Sequence, residues 1–264
     1  MIDNPRSPRV RAVAKLANRS AREETGLFLV EGPQAVREAL EFRAALLADL
    51  FMTQPALDRH GDIARTAAAA GIDAEVVSDH VLETMSDTVT PQGVIAVARQ
   101  FPVTVKEMLL GGVKLVAILE EVRDPGNAGT IIRAADAAGA DGVILTGKSV
   151  DAYNPKVVRS TTGSIFHVAV AQGGALDAAI RAVRHAGLRV LAADIAGDDL
   201  PTVRDRLAEP TAWLFGNEAH GLSEETLKLA DAVVKVPIYG HAESLNLATA
   251  ASVCLYESAF AQRA

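Results

Sequence analysis

Leu115-Val116-Ala117-Ile118-Leu119, Asp124-Pro125-Gly126-Asn127 and Ala128-Gly129-Thr130-Ile131-Ile132-Arg133 follow one another closely in the middle of the chain. The first run is apolar and of strand length, and the second is a polar turn punctuated by proline and glycine. Asn127 reads as the N-cap of a helix beginning at Ala128, since its side chain can accept from the free amides of the first turn. On that helix Ala128, Ile131, Ile132, Ala135 and Ala138 form one apolar stripe. Arg133 falls nearly opposite, with Gly129 one turn before it, where the missing side chain would leave backbone exposed and give a partner room. A buried strand, a polar turn and an amphipathic helix make the repeating unit of an α/β fold.

The same alternation extends in both directions. Strand candidates follow at Gly142–Leu145, His167–Val170, Arg189–Ala192, Ala212–Phe215 and Val233–Ile238. The helical stretches Pro155–Ile165, Leu176–Ala186, Glu224–Ala230 and Leu247–Gln262 lie among them. Short strands alternating with helices predict a mostly parallel sheet covered on both faces. Upstream, Leu27–Val30, Leu46–Met52, Ala74–Ser78 and Gly93–Ala98 read as strands, with helices over Gln34–Phe42, Leu57–Ala70 and Val81–Met85. They form a smaller α/β module. Pro102 and Gly111-Gly112 mark a junction within 99–112, which places the domains at 1–105 and 106–264.

Composition narrows the class. Nearly half of the residues are hydrophobic, ample for real cores, and no run approaches the roughly 20 apolar residues a membrane span needs. The amino terminus is basic but leads into no apolar stretch of a signal peptide. Cys254 stands alone, which excludes an internal disulfide and fits a reducing cytoplasm. The net charge of −7 does not advertise a nucleic-acid binder. Residues 1–22 nevertheless hold Arg6, Arg9, Arg11, Lys15, Arg19 and Arg22 against Asp3 alone. Such an arm can bind phosphates locally, and it can equally be a solubilising, half-ordered terminus.

Two further polar segments follow apolar runs. Gly216-Asn217-Glu218 comes after Ala212–Phe215, flanked by Gly216 and Gly221. Ser223 would cap the next helix with Glu224 and Glu225 in its first turn, whereas Glu218 has no such helical role. His220 lacks a partner at metal-ligand spacing and reads as a loop histidine. Val236-Pro237-Ile238 breaks its strand, because proline removes a ladder donor. Ser244-Leu245-Asn246 then leads into Leu247-Ala248-Thr249-Ala250-Ala251, small residues that allow close helix packing. Either Ser244 or Asn246 can be the N-cap. Cys254 falls in the apolar pattern as a core thiol.

Taken together and in order, these three segments resemble the motifs of the SpoU/TrmH-type RNA ribose 2′-O-methyltransferases. Asn154-Pro155-Lys156 through Ser160, Gly163 and Phe166-His167 add to the likeness. Phe28–Gly32 and Thr90–Val94 resemble the substrate-binding domain that many members carry. Asn217 stands where members often show other small residues. The resemblance implies a trefoil knot in the catalytic domain and S-adenosylmethionine as methyl donor. Asn127, Arg133, Glu218, Ser244 and Asn246 match the family's catalytic positions, and Gly216, Val236, Ile238 and Leu245 its donor-binding ones. It implies a homodimer in which one chain can lend Arg133 to its partner's pocket; residue spacing and composition, for their part, lead us to expect no metal and no membrane. Arg133 would then stabilise charge rather than act as a base, because guanidinium stays protonated. RNA contacts are expected at Arg19, Arg22 and Arg159. Ribosomal RNA is the expected substrate, with transfer RNA the alternative.

Two other readings compete. A Rossmann oxidoreductase needs a glycine-rich turn directly after its first strand, and Leu115–Leu119 is followed instead by Glu120-Glu121-Val122-Arg123-Asp124. A non-catalytic RNA-binding protein on the same scaffold would have no need to keep all five polar positions.

Overall fold

Runs of Val, Leu, Ile and Ala become the strands of two separate sheets. The computed structural model describes residues 1–264. Their contacts divide into two units, Met1–Phe101 with Tyr153–His167, and Pro102–Ala152 with Val168–Ala264. The amino-terminal elements are α1 (Pro8–Lys15), α2 (Arg19–Thr25), β1 (Leu27–Glu31), α3 (Pro33–Arg43), β2 (Leu47–Thr53), α4 (Gln54–Arg59), α5 (Gly61–Ala69), β3 (Ala74–Val77), α6 (Asp79–Met85) and β4 (Val94–Arg99). Their sheet has the order β1-β4-β2-β3, with β4 antiparallel to both neighbours and β2 parallel to β3. One face buries Phe28, Val30, Met52 and Ala96, the other Leu29, Phe51, Ile95 and Val97. The single helix expected over 57–70 is two, parted at His60.

The basic amino terminus is folded. Val10, Val13 and Leu16 pack into the core beneath α1. Arg22 is only 1% exposed, and its Nη1 donates to the carbonyls of Leu16 and Ala17 at 2.8 Å each. The RNA contact expected of Arg22 is therefore corrected: its guanidinium satisfies carbonyls left open at the end of α1. Arg19 stays exposed and pairs with Glu23 one turn on, at 2.7 Å.

From residue 102 onward come α7 (Val105–Met108), β5 (Leu115–Glu120), α8 (Pro125–Ala137), β6 (Gly142–Thr146), α9 (Pro155–Thr161), β7 (Ala169–Gln172) and α10 (Leu176–His185). They are followed by β8 (Arg189–Asp199), β9 (Thr211–Phe215), α11 (Glu224–Leu227), β10 (Ala232–Lys235) and α12 (Leu247–Gln262). All six strands are parallel, in the order β10-β8-β9-β5-β6-β7. The chain winds outward from β5 to β7, then crosses to β8 and returns to β9 beside β5. Strand order thus reverses between β5 and β9, where ligands collect in open α/β sheets.

Helix α9 departs from the regular alternation. Tyr153, Val158, Ile165 and Phe166 join the core of the first unit, with the Tyr153 ring 4.8 Å from that of Phe28. Arg159 points to Glu31 at 3.3 Å and Asp87 at 3.4 Å, and the nearly buried Glu31 also accepts from Ser86 Oγ and the Asp87 amide. This pairing meets the need of a buried carboxylate for a cation, while a third of the Arg159 side chain stays exposed.

Strand β8 is longer than its apolar run. Ala192 pairs with Val233 and Asp198 with Val234, so residues 193–197 loop out between adjacent partners. Gly197 permits this, since a Cβ there would lie 2.4 Å from the backbone of Val233 and Val234. Strand β10 stops at Lys235, just before Val236-Pro237, as proline requires.

Helix α12 packs on α8 and β9 and buries Ala248, Ala251, Leu255 and Ser258. Cys254 is buried in the same helix, and desolvation pushes its thiol up to about 12. Trp213 of β9 donates its indole N–H to Ser258 Oγ at 2.8 Å, with both residues fully buried. Ser258→Ala strands that donor and should lower the unfolding free energy by about 1–3 kcal/mol. A urea midpoint equal to that of the unaltered protein would show that the bond contributes nothing.

Candidate active site

The site is built where β5, β9 and β10 end. At the end of β5, Glu121 has φ +52, a left-handed conformation uncommon for a residue other than glycine. Its carbonyl accepts from Asn217 Nδ2 at 2.8 Å. Asn217 Oδ1 in turn accepts from the Ala219 amide at 2.9 Å, and the Gly221 amide donates to the Asn217 carbonyl at 2.9 Å. Residues 217–221 are thereby closed into one turn and moored to β5. Gly216 is required for this, because a Cβ there would lie 2.5 Å from the Gly221 carbonyl carbon and oxygen. Asn217 is the staple of this turn.

Glu218 projects from the turn across to the start of α8. Its Oε1 accepts from the Asp124 amide at 3.1 Å and from Asn127 Nδ2 at 3.4 Å, and its Oε2 from the Arg123 amide at 3.3 Å. The helix begins earlier than its apolar stripe suggests. Asp124 is the N-cap, accepting from the Asn127 amide at 2.7 Å, and Pro125 occupies the first turn. The capping role expected of Asn127 is thus corrected, and its side chain is released for longer-range contacts. Asn127 Oδ1 accepts from Asn246 Nδ2 at 3.0 Å. Asn246 Oδ1 caps α12, accepting from Ala248 and Thr249 amides at 2.9 and 3.2 Å. Glu218, Asn127 and Asn246 therefore form one hydrogen-bonded chain that joins all three loops.

A cavity of about 580 Å³ opens beside this chain. Val236, Ile238, Ser244 and Leu245 line it together with Asn127, Glu218 and Asn246, and the looped-out segment of β8 adds Asp194 and Ile195. Sequence reasoning missed Asp194 and Ile195, since only pairing with β10 shows that this stretch leaves the sheet. A second cavity of about 710 Å³ lies against the same 217–221 turn. Two expected residues are placed differently. Gly216 is buried and acts through the turn it permits, outside the lining of either cavity. Arg133 is exposed on α8 and likewise lines neither cavity. Gly129, expected to leave backbone open beside it, is buried instead, in the helix on which α12 packs. No group of His, Cys, Asp and Glu is placed to hold a metal ion.

Gly216→Ala should force the turn away from Gly221. Hydrogen exchange at the Gly221 amide is expected to quicken and the melting temperature to fall. Unaltered protection there would mean that the close approach is not needed.

Comparison with known proteins extends this geometry. Residues 114–256 match the SpoU rRNA Methylase family, and residues 7–96 match an MRM3-like substrate binding domain. The chain is 31% identical to the 23S rRNA (guanosine(2553)-2′-O)-methyltransferase RlmP of Bacillus subtilis (strain 168), over 97% of each protein. It is 35% identical to a 23S rRNA (uridine(2479)-2′-O)-methyltransferase of Streptomyces viridochromogenes, covering 93% of this chain and 86% of the relative. The crystal structure of an AdoMet-bound rRNA methyltransferase from Sinorhizobium meliloti superimposes with a TM-score of 0.84 at 33% identity, over 97% of this chain and 96% of that one. Three polar loops meeting at a parallel-sheet switch point, and similarity along nearly the whole length, lead to one conclusion: the chain belongs to the SpoU family of RNA methylases.

Proposed function

We propose that this protein transfers a methyl group from S-adenosylmethionine to a ribose 2′-hydroxyl of ribosomal RNA. The observation that carries the reading is the Glu218–Asn127–Asn246 chain at the edge of the 580 Å³ cavity. That volume lies within the roughly 300–1,000 Å³ of small-molecule sites. Its lining sets apolar Ile195, Val236, Ile238 and Leu245 beside the polar groups of Asp194, Glu218, Ser244 and Asn246. Such a surface fits a heteroaromatic ring held by its edges and an amino-acid tail. When bound, S-adenosylmethionine supplies an electrophilic methyl group on a positively charged sulfur.

The chain's own residues then have separable tasks. Glu218 presents negative charge and, with Asn127, fixes the geometry between the loops. Asn246 holds the start of α12, and Ser244 and Leu245 wall the cavity. A ribose hydroxyl is a weak acid, so the site must align it and stabilise developing alkoxide. Arg133 provides that charge while remaining protonated, and phosphate or water accepts the proton. Because Arg133 lies outside the cavity of its own chain, the reading assigns it to the site of a partner protomer. Val253, Tyr256 and Phe260, exposed along α12, suit such a homodimer interface. The implied trefoil knot belongs to the same reading, since the chain returns from edge strand β10 to pack α12 on α8.

The first unit would select the RNA, with Arg6, Arg11, Lys15 and Arg19 exposed on its amino-terminal segment. No helix is long and apolar enough to cross a membrane.

The test is transfer of labelled methyl groups to separated ribosomal and transfer RNA, followed by mapping. Label on a ribose of ribosomal RNA is expected, whereas label confined to transfer RNA or to a base would refute the assignment. Arg133→Lys should lower turnover by about a hundredfold with donor affinity unchanged, because a point charge does not reproduce a planar fork. Mixing Arg133→Ala with Glu218→Ala protomers should restore activity that neither has alone. Failure of mixed dimers to regain activity would place Arg133 in its own chain's site.

A further inference from the structure

The turn 217–221 is a partition. Asn217, Glu218, Ala219, His220 and Gly221 line the donor cavity on one side and the 710 Å³ cavity on the other. In-line transfer requires the acceptor hydroxyl within about 3–3.5 Å of the methyl carbon, so the acceptor nucleotide must lie beside the donor compartment. The second cavity adjoins it along this one turn, and Glu218 belongs to both. We infer that the second cavity receives the nucleobase of the acceptor nucleotide, turned out of its RNA strand. The inference rests on the methyl-transfer reading above and extends it.

The chemistry of the lining supports a base rather than a phosphate. Glu121 and Arg123 pair at 2.9 Å, and Glu120 is held by the Thr146 hydroxyl. These carboxylates repel phosphate, yet they accept N–H groups of a base edge. Ser223 is committed to the α11 cap, accepting from the Thr226 amide at 3.1 Å, with its hydroxyl 3.0 Å from that of Thr226. The exposed His220 ring stands at the partition, a side chain on which an unstacked base can lie. RNA is read mostly at single-stranded loops and ends, whose unstacked bases can be splayed out and received in such a pocket.

Thr226 and Arg123 line this cavity and not the donor cavity, which gives the test its selectivity. Thr226→Phe would fill the compartment, and Arg123→Ala removes an exposed side chain with little risk to folding. Each is to be assayed with in-vitro-transcribed 23S ribosomal RNA and labelled S-adenosylmethionine, with donor affinity measured separately by calorimetry. For Thr226→Phe, kcat/KM for RNA is expected to fall by about tenfold or more while donor affinity is kept. Arg123→Ala should show a smaller fall of the same kind. Unchanged kcat/KM in both variants, with the unaltered enzyme active, would overturn the base compartment and leave the methyl-transfer reading standing. An unaltered enzyme that binds donor but labels no RNA would overturn both.

Discussion

Asn127 gives one hydrogen bond and takes another, and the site depends on that two-way bond. Its amide nitrogen donates to Glu218, which can only accept, and this leaves its oxygen to accept from Asn246. A carboxylate at this position would repel Glu218, and an alanine would remove the hydrogen bond that ties the Asn246 loop to the other two. The bond is available because Asp124, not Asn127, caps α8. A cap at Asn127 would have occupied the same oxygen. One polar residue earlier in the sequence therefore decides what the asparagine can do.

The sheet supplies the place and the loops supply the constraint. Reversal of strand order between β5 and β9 opens a crevice at their carboxyl ends, and neighbouring β8 contributes its looped-out segment. Left-handed backbone at Glu121 and the tight approach at Gly216 are local costs, offset by bonds that fix the 217–221 turn. Such preorganisation is what a methyl-transfer site requires, since groups already in place need not reorganise during reaction. The Trp213–Ser258 bond continues the same logic into the core, holding α12 against β9 while its first residue, through Asn246, reaches the site.

Much of this was legible from residues alone. Apolar runs of strand length alternating with helices gave a parallel sheet, because both faces of such a sheet are buried and its strands cannot alternate in polarity. Glycine and proline beside polar residues located the three loops. Periodicity could not show the role of helix Pro155–Thr161, whose apolar face fits any core. Nor could composition distinguish Arg22, which is internal, and Arg159, which is half-buried against Glu31, from Arg19, which is exposed. An arginine in a basic segment reads the same whether its guanidinium meets water, carbonyl oxygens or Glu31.

The amino-acid sequence by itself determined the α/β class, the polar loops and the family whose motifs they resemble, since these follow from local pattern and residue order. Tertiary structure alone decided that Glu218, Asn127 and Asn246 share one chain of hydrogen bonds, that residues 193–197 leave β8 to wall a cavity, and that one short turn parts two cavities. The physical reason is distance along the chain. Asn127 and Asn246 lie 119 residues apart, and only the packing of α12 on α8 brings their amides to 3.0 Å.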